Sequence, residues 1–191
     1  WTEVADLNTG RSGLAAGGTS TSTVAFGGYD GSNNTAVTES YNGSSWTEVA
    51  DLNTARDALR GAAANNTAAL AFGGQLPPGS LANTESWNGS AWTEVNDLNT
   101  ARRNMVQGAA GSSTSGLVFG GETPGAANVA LVETFNGTSW SAFANLSVAR
   151  RGGIGAGAST ASGLFSGGND DSDATEEYTA PKIAVKTVDI D

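Results

Sequence analysis

Apolar residues along this chain recur at short intervals that lean toward a period of two, and turn-forming residues interrupt them about every 8 to 12 positions. That pattern predicts small antiparallel strands and gives helix almost no support. In the first full unit it predicts strands over residues 11–18, 21–26, 35–41 and 46–49. Turns fall at Thr19-Ser20, at Gly27-Gly28 and at Asn42-Gly43-Ser44-Ser45.

The same unit is written four times. Trp46-Thr-Glu-Val-Ala-Asp-Leu-Asn-Thr-Ala-Arg56 appears also from Trp1 to Arg11, from Trp92 to Arg102 with Asn96 for Ala50, and in altered form from Trp140 to Arg150. A fixed period of roughly 45–48 residues means stacked or radially arranged supersecondary units. Each second strand closes on a double glycine: Val24-Ala-Phe-Gly-Gly28, Leu70-Ala-Phe-Gly-Gly74, Leu117-Val-Phe-Gly-Gly121 and Leu164-Phe-Ser-Gly-Gly168. Glycine there allows a positive φ or a close backbone approach that a Cβ would forbid. Each third strand carries a glutamate and then an aromatic residue: Glu39 and Tyr41, Glu85 and Trp87, Glu133 and Phe135, Glu176 and Tyr178. Asn42-Gly43, Asn88-Gly89 and Asn136-Gly137 follow as hairpin signals. Each unit reads as a four-stranded meander, which needs neighbours on both sides to cover its faces.

Gly-Gly after the second strand, an acidic residue and an aromatic on the third, Trp on the fourth and Arg opening the next unit together resemble the kelch repeat of β-propellers. The resemblance spans residues 1–178 and implies an all-β propeller of four four-stranded antiparallel blades. The fourth unit departs most: Ser166 replaces the phenylalanine, Phe143 stands where Val49 stands, and Thr179-Ala180 replaces Asn-Gly. The near-verbatim wording of the repeat also resembles kelch-like arrays in bacteriophage virion proteins, including tail and fibre components. Copper-radical oxidases share the kelch-like architecture, but their His ligands have no counterpart here.

The chain opens on a fourth strand, residues 1–4, while its last unit supplies only three, so pairing residues 1–4 beside 176–178 would close the ring. The rival is membership of a larger propeller. Gly- and Ala-rich first strands, 13–18 and 152–157, favour four blades, because few blades crowd a narrow axis. The expected division is a propeller over 1–180 and an extended arm over 181–191, with a frayed terminus as the alternative for the arm. The absence of an initiator methionine suggests a processed product or an excerpt.

Composition narrows the chemistry. With 19 acidic and 9 basic residues the net charge is -10, a poor match for a phosphate backbone, so nucleic acid is not expected as a partner. No apolar run reaches the length of a membrane-spanning helix, so membrane insertion is not expected either. There is no Cys and no His, which removes disulfides, thiol nucleophiles, imidazole bases and the common nitrogen and sulfur metal ligands. Carboxylate pairs such as Glu39 with Asp30, or Glu176 with Asp171, remain as the acid/base option, and they carry the alternative reading of a polysaccharide hydrolase or lyase. No cofactor is expected. Asn169, Asp170, Asp171 and Asp173 form an acidic loop without the ligand spacing of a calcium site, so a solvated loop is the preferred reading. Six Asn-x-Ser/Thr sequons are expected by chance in so Ser-, Thr- and Asn-rich a chain.

Arg11, Arg56, Arg102 and Arg150 could form a cationic ring, but pairing once per blade with glutamate or loop carbonyls is the preferred role. Trp1, Trp46, Trp92 and Trp140 are read as packing between blades. Connectors from the fourth strand to the next first strand are nearly copied, whereas the loops after each double glycine, 29–34, 75–83, 122–128 and 169–174, differ in length and content. Both should emerge on one face, and the varied set is where a rigid scaffold can differ from unit to unit. Tyr29, Asp30, Gln75, Leu76, Pro77, Pro78, Glu122 and Pro124 are therefore the candidate recognition residues. The expected function is non-enzymatic: a binding or structural module on a phage virion surface or otherwise extracellular. It would recognise a host glycan or protein, or contact neighbouring virion proteins.

Overall fold

A computed structural model describes residues 1–107, 111–159, 162–168 and 173–179. The chain is all-β, with antiparallel sheets and no helix among the described residues. The first sheet runs β1 (Ala15–Thr19), β2 (Ser22–Phe26), β3 (Thr38–Tyr41) and β4 (Trp46–Val49) in that order. The second contains β5 (Arg60–Asn65), β6 (Ala68–Phe72), β9 (Thr84–Trp87) and β10 (Trp92–Val95), with a small hairpin, β7 (Gln75–Leu76) and β8 (Gly79–Ser80), rising from the loop between β6 and β9. The third holds β11 (Val106–Gln107), β12 (Gly116–Phe119), β13 (Val132–Phe135) and β14 (Trp140–Ala142). The fourth has three strands, β15 (Ile154–Ser159), β16 (Ser162–Ser166) and β17 (Thr175–Thr179).

The first strand of the first unit is shorter than the pattern predicts. Gly13 has φ +61° and Ser12 bridges to Tyr29, so the chain bends before β1 begins at Ala15. The Asn-Gly signals do mark hairpins. Asn42 Oδ1 accepts from Ser44 and Ser45 N–H, Asn88 and Asn136 repeat the turn, and Gly43, Gly89 and Gly137 take φ near +95°. Those turns set the register that faces Tyr41 with Trp46, Trp87 with Trp92 and Phe135 with Trp140. The paired rings lie 5.0, 5.4 and 5.2 Å apart.

Successive sheets pack through one repeated contact. Phe26 of β2 meets Trp92 edge-on at 4.9 Å, and Phe72 of β6 meets Trp140 in the same way at 5.0 Å. Trp92 Nε1 donates to Thr38 Oγ1 of the first sheet and Trp140 Nε1 to Thr84 Oγ1 of the second, each at 3.0 Å. Burying an indole requires a partner for its N–H, and here the partner belongs to the preceding sheet. Phe119 and Phe165 join the third and fourth sheets at 6.0 Å.

The first strands approach closely, β1 on β5, β5 on β11 and β11 on β15. Small residues permit this. A Cβ on Gly17 would sit 2.7 Å from Ala63 Cβ, and one on Gly61 would sit 2.3 Å from Phe26 Cζ. Because the Phe26 ring is fully buried against Trp92, Gly61→Ala is expected to cost about 1–3 kcal/mol through overpacking, measured as a lowered denaturant midpoint.

The expected ring closure is absent from the structure. Residues 1–4 lie in no strand, Trp1 and Val4 are exposed, and β17 is the outermost described strand of the fourth sheet. The segment behind them lies against the first sheet, as the later connectors lie against the second and third. Trp46 Nε1 donates to Ala5 O, and Asn8 and Thr9 donate from their backbone N–H groups to Glu39. Correspondingly, Leu164 is 40% exposed and Ile154 75%, whereas Leu70 and Leu117, which occupy the position of Leu164, are buried. The expected arm at 181–191 and the domain limit at residue 180 lie outside the described residues.

Candidate recognition face

The repeated arginines and glutamates form the frame on which the varied loops stand. Arg11 Nη2 lies 2.9 Å from Glu39 Oε1, Arg56 Nη2 3.0 Å from Glu85 Oε1 and Arg102 Nη2 2.6 Å from Glu133 Oε1, and Arg150 pairs with Glu176. The Arg56–Glu85 pair is close but misaligned for a hydrogen bond, so its attraction is mainly Coulombic. Burial lowers the pKa of the Arg56 and Arg102 guanidinium groups, and Glu85 and Glu133 respectively oppose that shift.

Each glutamate also receives the connector that leads into its unit. Asn8, Asn53 and Asn99 donate backbone and side-chain N–H groups to Glu39, Glu85 and Glu133, and Ser147 donates its backbone N–H to Glu176. The arginine Nη1 atoms reach carbonyls beside the double glycine. Arg11 donates to Gly27 O and Val37 O, Arg102 to Gly120 O and Leu131 O, and Arg150 to Gly167 O and Ala174 O.

Glu176 differs from the other three in exposure. Burial pushes its pKa up, but the Ser147 hydrogen bonds and the Arg150 guanidinium outweigh this and hold it below the ordinary 4.5. A depressed carboxylate contributes stability that is present above its ordinary pKa and lost as pH falls through the lowered folded value. The fourth unit is therefore expected to loosen below about pH 4.5, read from near-ultraviolet circular dichroism of the Phe143–Tyr178 ring pair. Glu176→Gln should flatten that acid limb.

The double glycines serve both purposes anticipated for them. Gly27, Gly73 and Gly120 have φ between +54° and +67°, and a Cβ on each would come within 2.8, 2.7 and 2.2 Å of the next unit's Arg carbonyl oxygen. The second glycine then donates its N–H to that same carbonyl: Gly28 to Arg56 O, Gly74 to Arg102 O and Gly121 to Arg150 O. This hydrogen bond carries the chain from one unit to the next.

Copied and varied loops meet directly on one face. The residue after each double glycine bridges to the residue after the repeated arginine: Tyr29 with Ser12, Gln75 with Asp57 and Glu122 with Arg103. Gln75 and Glu122, two of the candidate recognition residues, are turned into this frame. Gln75 accepts from Arg103 and donates to Asp57 Oδ2, and Glu122, 1% exposed, pairs with both Arg103 and Arg151. They tie adjacent units together.

The sequence reading missed Asn34, Asp57, Arg103 and Arg151. The available signal was that the residue after each repeated arginine varies (Ser12, Asp57, Arg103, Arg151) within an otherwise copied connector.

Tyr29, Leu76 and Pro77 do converge. With Ser32, Asn33 and Asn34 they line a groove between the first two varied loops. Asp30 is exposed and caps its own loop, accepting from Ser32 and Asn33 N–H at 2.8 Å, and these bonds lower its pKa. Asn34 Nδ2 crosses to Gln75 O and Asp57 Oδ1, fixing one groove wall against the other. Pro78 and Pro124 are exposed elsewhere on their loops.

The carboxylates proposed as an acid/base pair are not arranged as one, since Glu39 is buried beneath Asn8 and Arg11 while Asp30 is held by its own turn. Asp171 and most of the acidic loop lie outside the described residues. No group of three or more acidic side chains converges on a metal position among the described residues. Comparison with models of known protein families gave no match, and neither did comparison with curated proteins.

Proposed function

We propose that this chain is a kelch-like β-propeller acting as a non-enzymatic recognition module, displayed on a phage particle as a tail, fibre or capsid-surface component. It binds a host-surface glycan or protein through the varied loops. The observation that carries this reading is the division of labour on one face. Repeated side chains are consumed in a buried Arg–Glu–Asn frame, while Tyr29, Leu76 and Pro77 stand exposed or half-exposed around a groove on top of it. The frame fixes the loop bases, which limits the ordering cost of binding.

The same reading takes the four sheets as blades and residues 1–4 as the missing strand of the fourth. Its support is the repeated contact between units. Tyr178 occupies the place of Tyr41, Trp87 and Phe135, each of which faces a fourth-strand tryptophan, and Trp1 is the tryptophan left exposed. Closure would also bring Trp46 toward Ile154 and Leu164 on the open side of the fourth sheet.

Exchange of residues 75–83 for a Gly/Ser loop tests the recognition role. Adhesion to host cells is expected to be abolished while circular dichroism still shows the β-sheet fold. Some loss of melting temperature is expected, because the exchange also removes the Gln75 contacts with Arg103 and Asp57. Undiminished adhesion would sink the reading and leave a decorating disc as the role of the domain.

A further inference from the structure

Resting on that recognition role, we infer that the groove between the loops 29–34 and 75–80 is a binding site for a neutral saccharide unit. Its walls are the Tyr29 ring on one side and Leu76 with Pro77 on the other, and Ser32, Asn33 and Asn34 complete the lining. The groove is open to solvent and offers about 360 Å³, room for one or two hexose rings.

Three features select the ligand class. The apolar groups are an aromatic face, a proline ring and one aliphatic side chain, and Tyr29 and Leu76 are 38% and 42% exposed. They form flat or compact surfaces suited to the C–H face of a sugar ring, with aromatic area offered at low entropy cost. The polar groups are hydroxyls and amides. The Tyr29 Oη, the Ser32 Oγ and the Asn33 amide have no hydrogen-bond partner among the described residues, so each is available to a ligand hydroxyl.

No charged side chain lines the groove. Asp57 is engaged by Asn34 and Gln75, and Asp30 by its own loop. With a net charge of -10 on the chain, sialylated or sulfated glycans are disfavoured relative to neutral ones.

Both walls are fixed before any ligand arrives. Tyr29 exchanges backbone hydrogen bonds with Ser12 at 2.8 and 3.0 Å, and Asp30 N–H donates to Asn33 O. The opposite wall is the β7–β8 hairpin, held by the reciprocal Gln75–Asp57 backbone bonds and by Asn34. A preformed groove of this kind loses little freedom on binding.

The test is a printed array of neutral oligosaccharides built from hexoses and N-acetylhexosamines, with sialylated and sulfated analogues alongside, followed by titration of the best neutral hit. Wild type should bind neutral glycans in preference to the acidic ones. Tyr29→Ala should weaken binding at least tenfold, Asn33→Ala severalfold and Tyr29→Phe less than Tyr29→Ala, while Ser44→Ala, in the exposed 42–45 turn, should leave it unchanged. Thermal midpoints of all four variants should match wild type within a few degrees, which separates lost contacts from lost fold.

Absence of any neutral glycan signal, or binding indifferent to Tyr29→Ala, overturns the inference. If host adhesion depends on residues 75–83 but resists both Tyr29→Ala and competition by neutral saccharide, the ligand is a protein. The saccharide inference then falls while the recognition role stands. If adhesion survives the loop exchange as well, the recognition role itself fails.

Discussion

Glu133→Ala is expected to destabilise the protein by about 3–5 kcal/mol, because it strands a buried guanidinium without its counter-charge. Arg102 is 0% exposed, and Glu133 is both its ion-pair partner at 2.6 Å and the acceptor for Asn99 N and Nδ2 at 2.8 and 2.6 Å. Removing the carboxylate leaves the buried Arg102 guanidinium without its counter-charge and takes away the acceptor of two Asn99 donors, which sit at a more exposed position. Against a total stability of about 5–15 kcal/mol, that loss threatens the fold itself. Glu133→Gln keeps an acceptor for Asn99 and removes only the charge, so an intermediate loss is expected. Urea unfolding followed by tryptophan fluorescence measures both. A loss below about 1 kcal/mol for Glu133→Ala, the size typical of an exposed pair, would mean that the frame is not what holds adjacent units together.

Trp92→Ala should cost a similar amount, about 3–5 kcal/mol, for a different reason. Its indole fills the contact between the first and second sheets, 4.9 Å from Phe26 and 5.4 Å from Trp87, and its N–H satisfies Thr38 Oγ1 across the boundary. Truncation opens a cavity that two rigid sheets cannot close. Trp46 is only half-buried in the structure and its N–H reaches Ala5 O. In the proposed closed ring it would pack on the open side of the fourth sheet, and Trp46→Ala should then cost about as much as Trp92→Ala, whereas an open array predicts a distinctly smaller loss. If the two substitutions proved equal, Trp46 would have to lie in a sheet-to-sheet contact of its own. Differential scanning calorimetry on the pair distinguishes these outcomes.

How much of this was legible in the sequence depends on whether a residue's role repeats. The tryptophans, the double glycines, the Asn-Gly turns and the Arg–Glu partners stood out because similar environments in successive units demand similar side chains. The all-β, antiparallel character followed from the same spacing. The early bend at Ser12 and Gly13 was hidden because Gly and Ala fit a strand and a turn equally well in a crowded inner position. Gln75 and Glu122 looked like surface residues because they lie in loops of variable length, yet they turn inward to meet Arg103, Arg151 and Asp57.

That inward turn depends on contacts between units, which a single unit's pattern does not encode. Convergence of Tyr29 with Leu76 and Pro77 is likewise a property of two adjacent loops. The sequence places both loops on one face, but packing between units decides which of their side chains meet. Nothing in the spacing distinguished a fourth sheet closed by residues 1–4 from one left with three strands, because the repeat is written the same way in both cases.

Closure of the ring is therefore the central claim to test, and the absence of native cysteine makes a direct measurement possible. In the three complete sheets the residue after the tryptophan faces the residue before the third-strand aromatic: Thr47 with Ser40, Thr93 with Ser86, Ser141 with Thr134. In the proposed closed ring that register would set Thr2 opposite Glu177, and directly opposed antiparallel residues lie about 4.5–5.5 Å apart at Cα, within disulfide range. The double variant Thr2→Cys with Glu177→Cys, oxidised at low protein concentration and analysed by non-reducing mass spectrometry, is expected to give one intramolecular disulfide in a monomer. Free thiols, or disulfide-linked multimers in place of the closed monomer, would contradict a four-bladed ring.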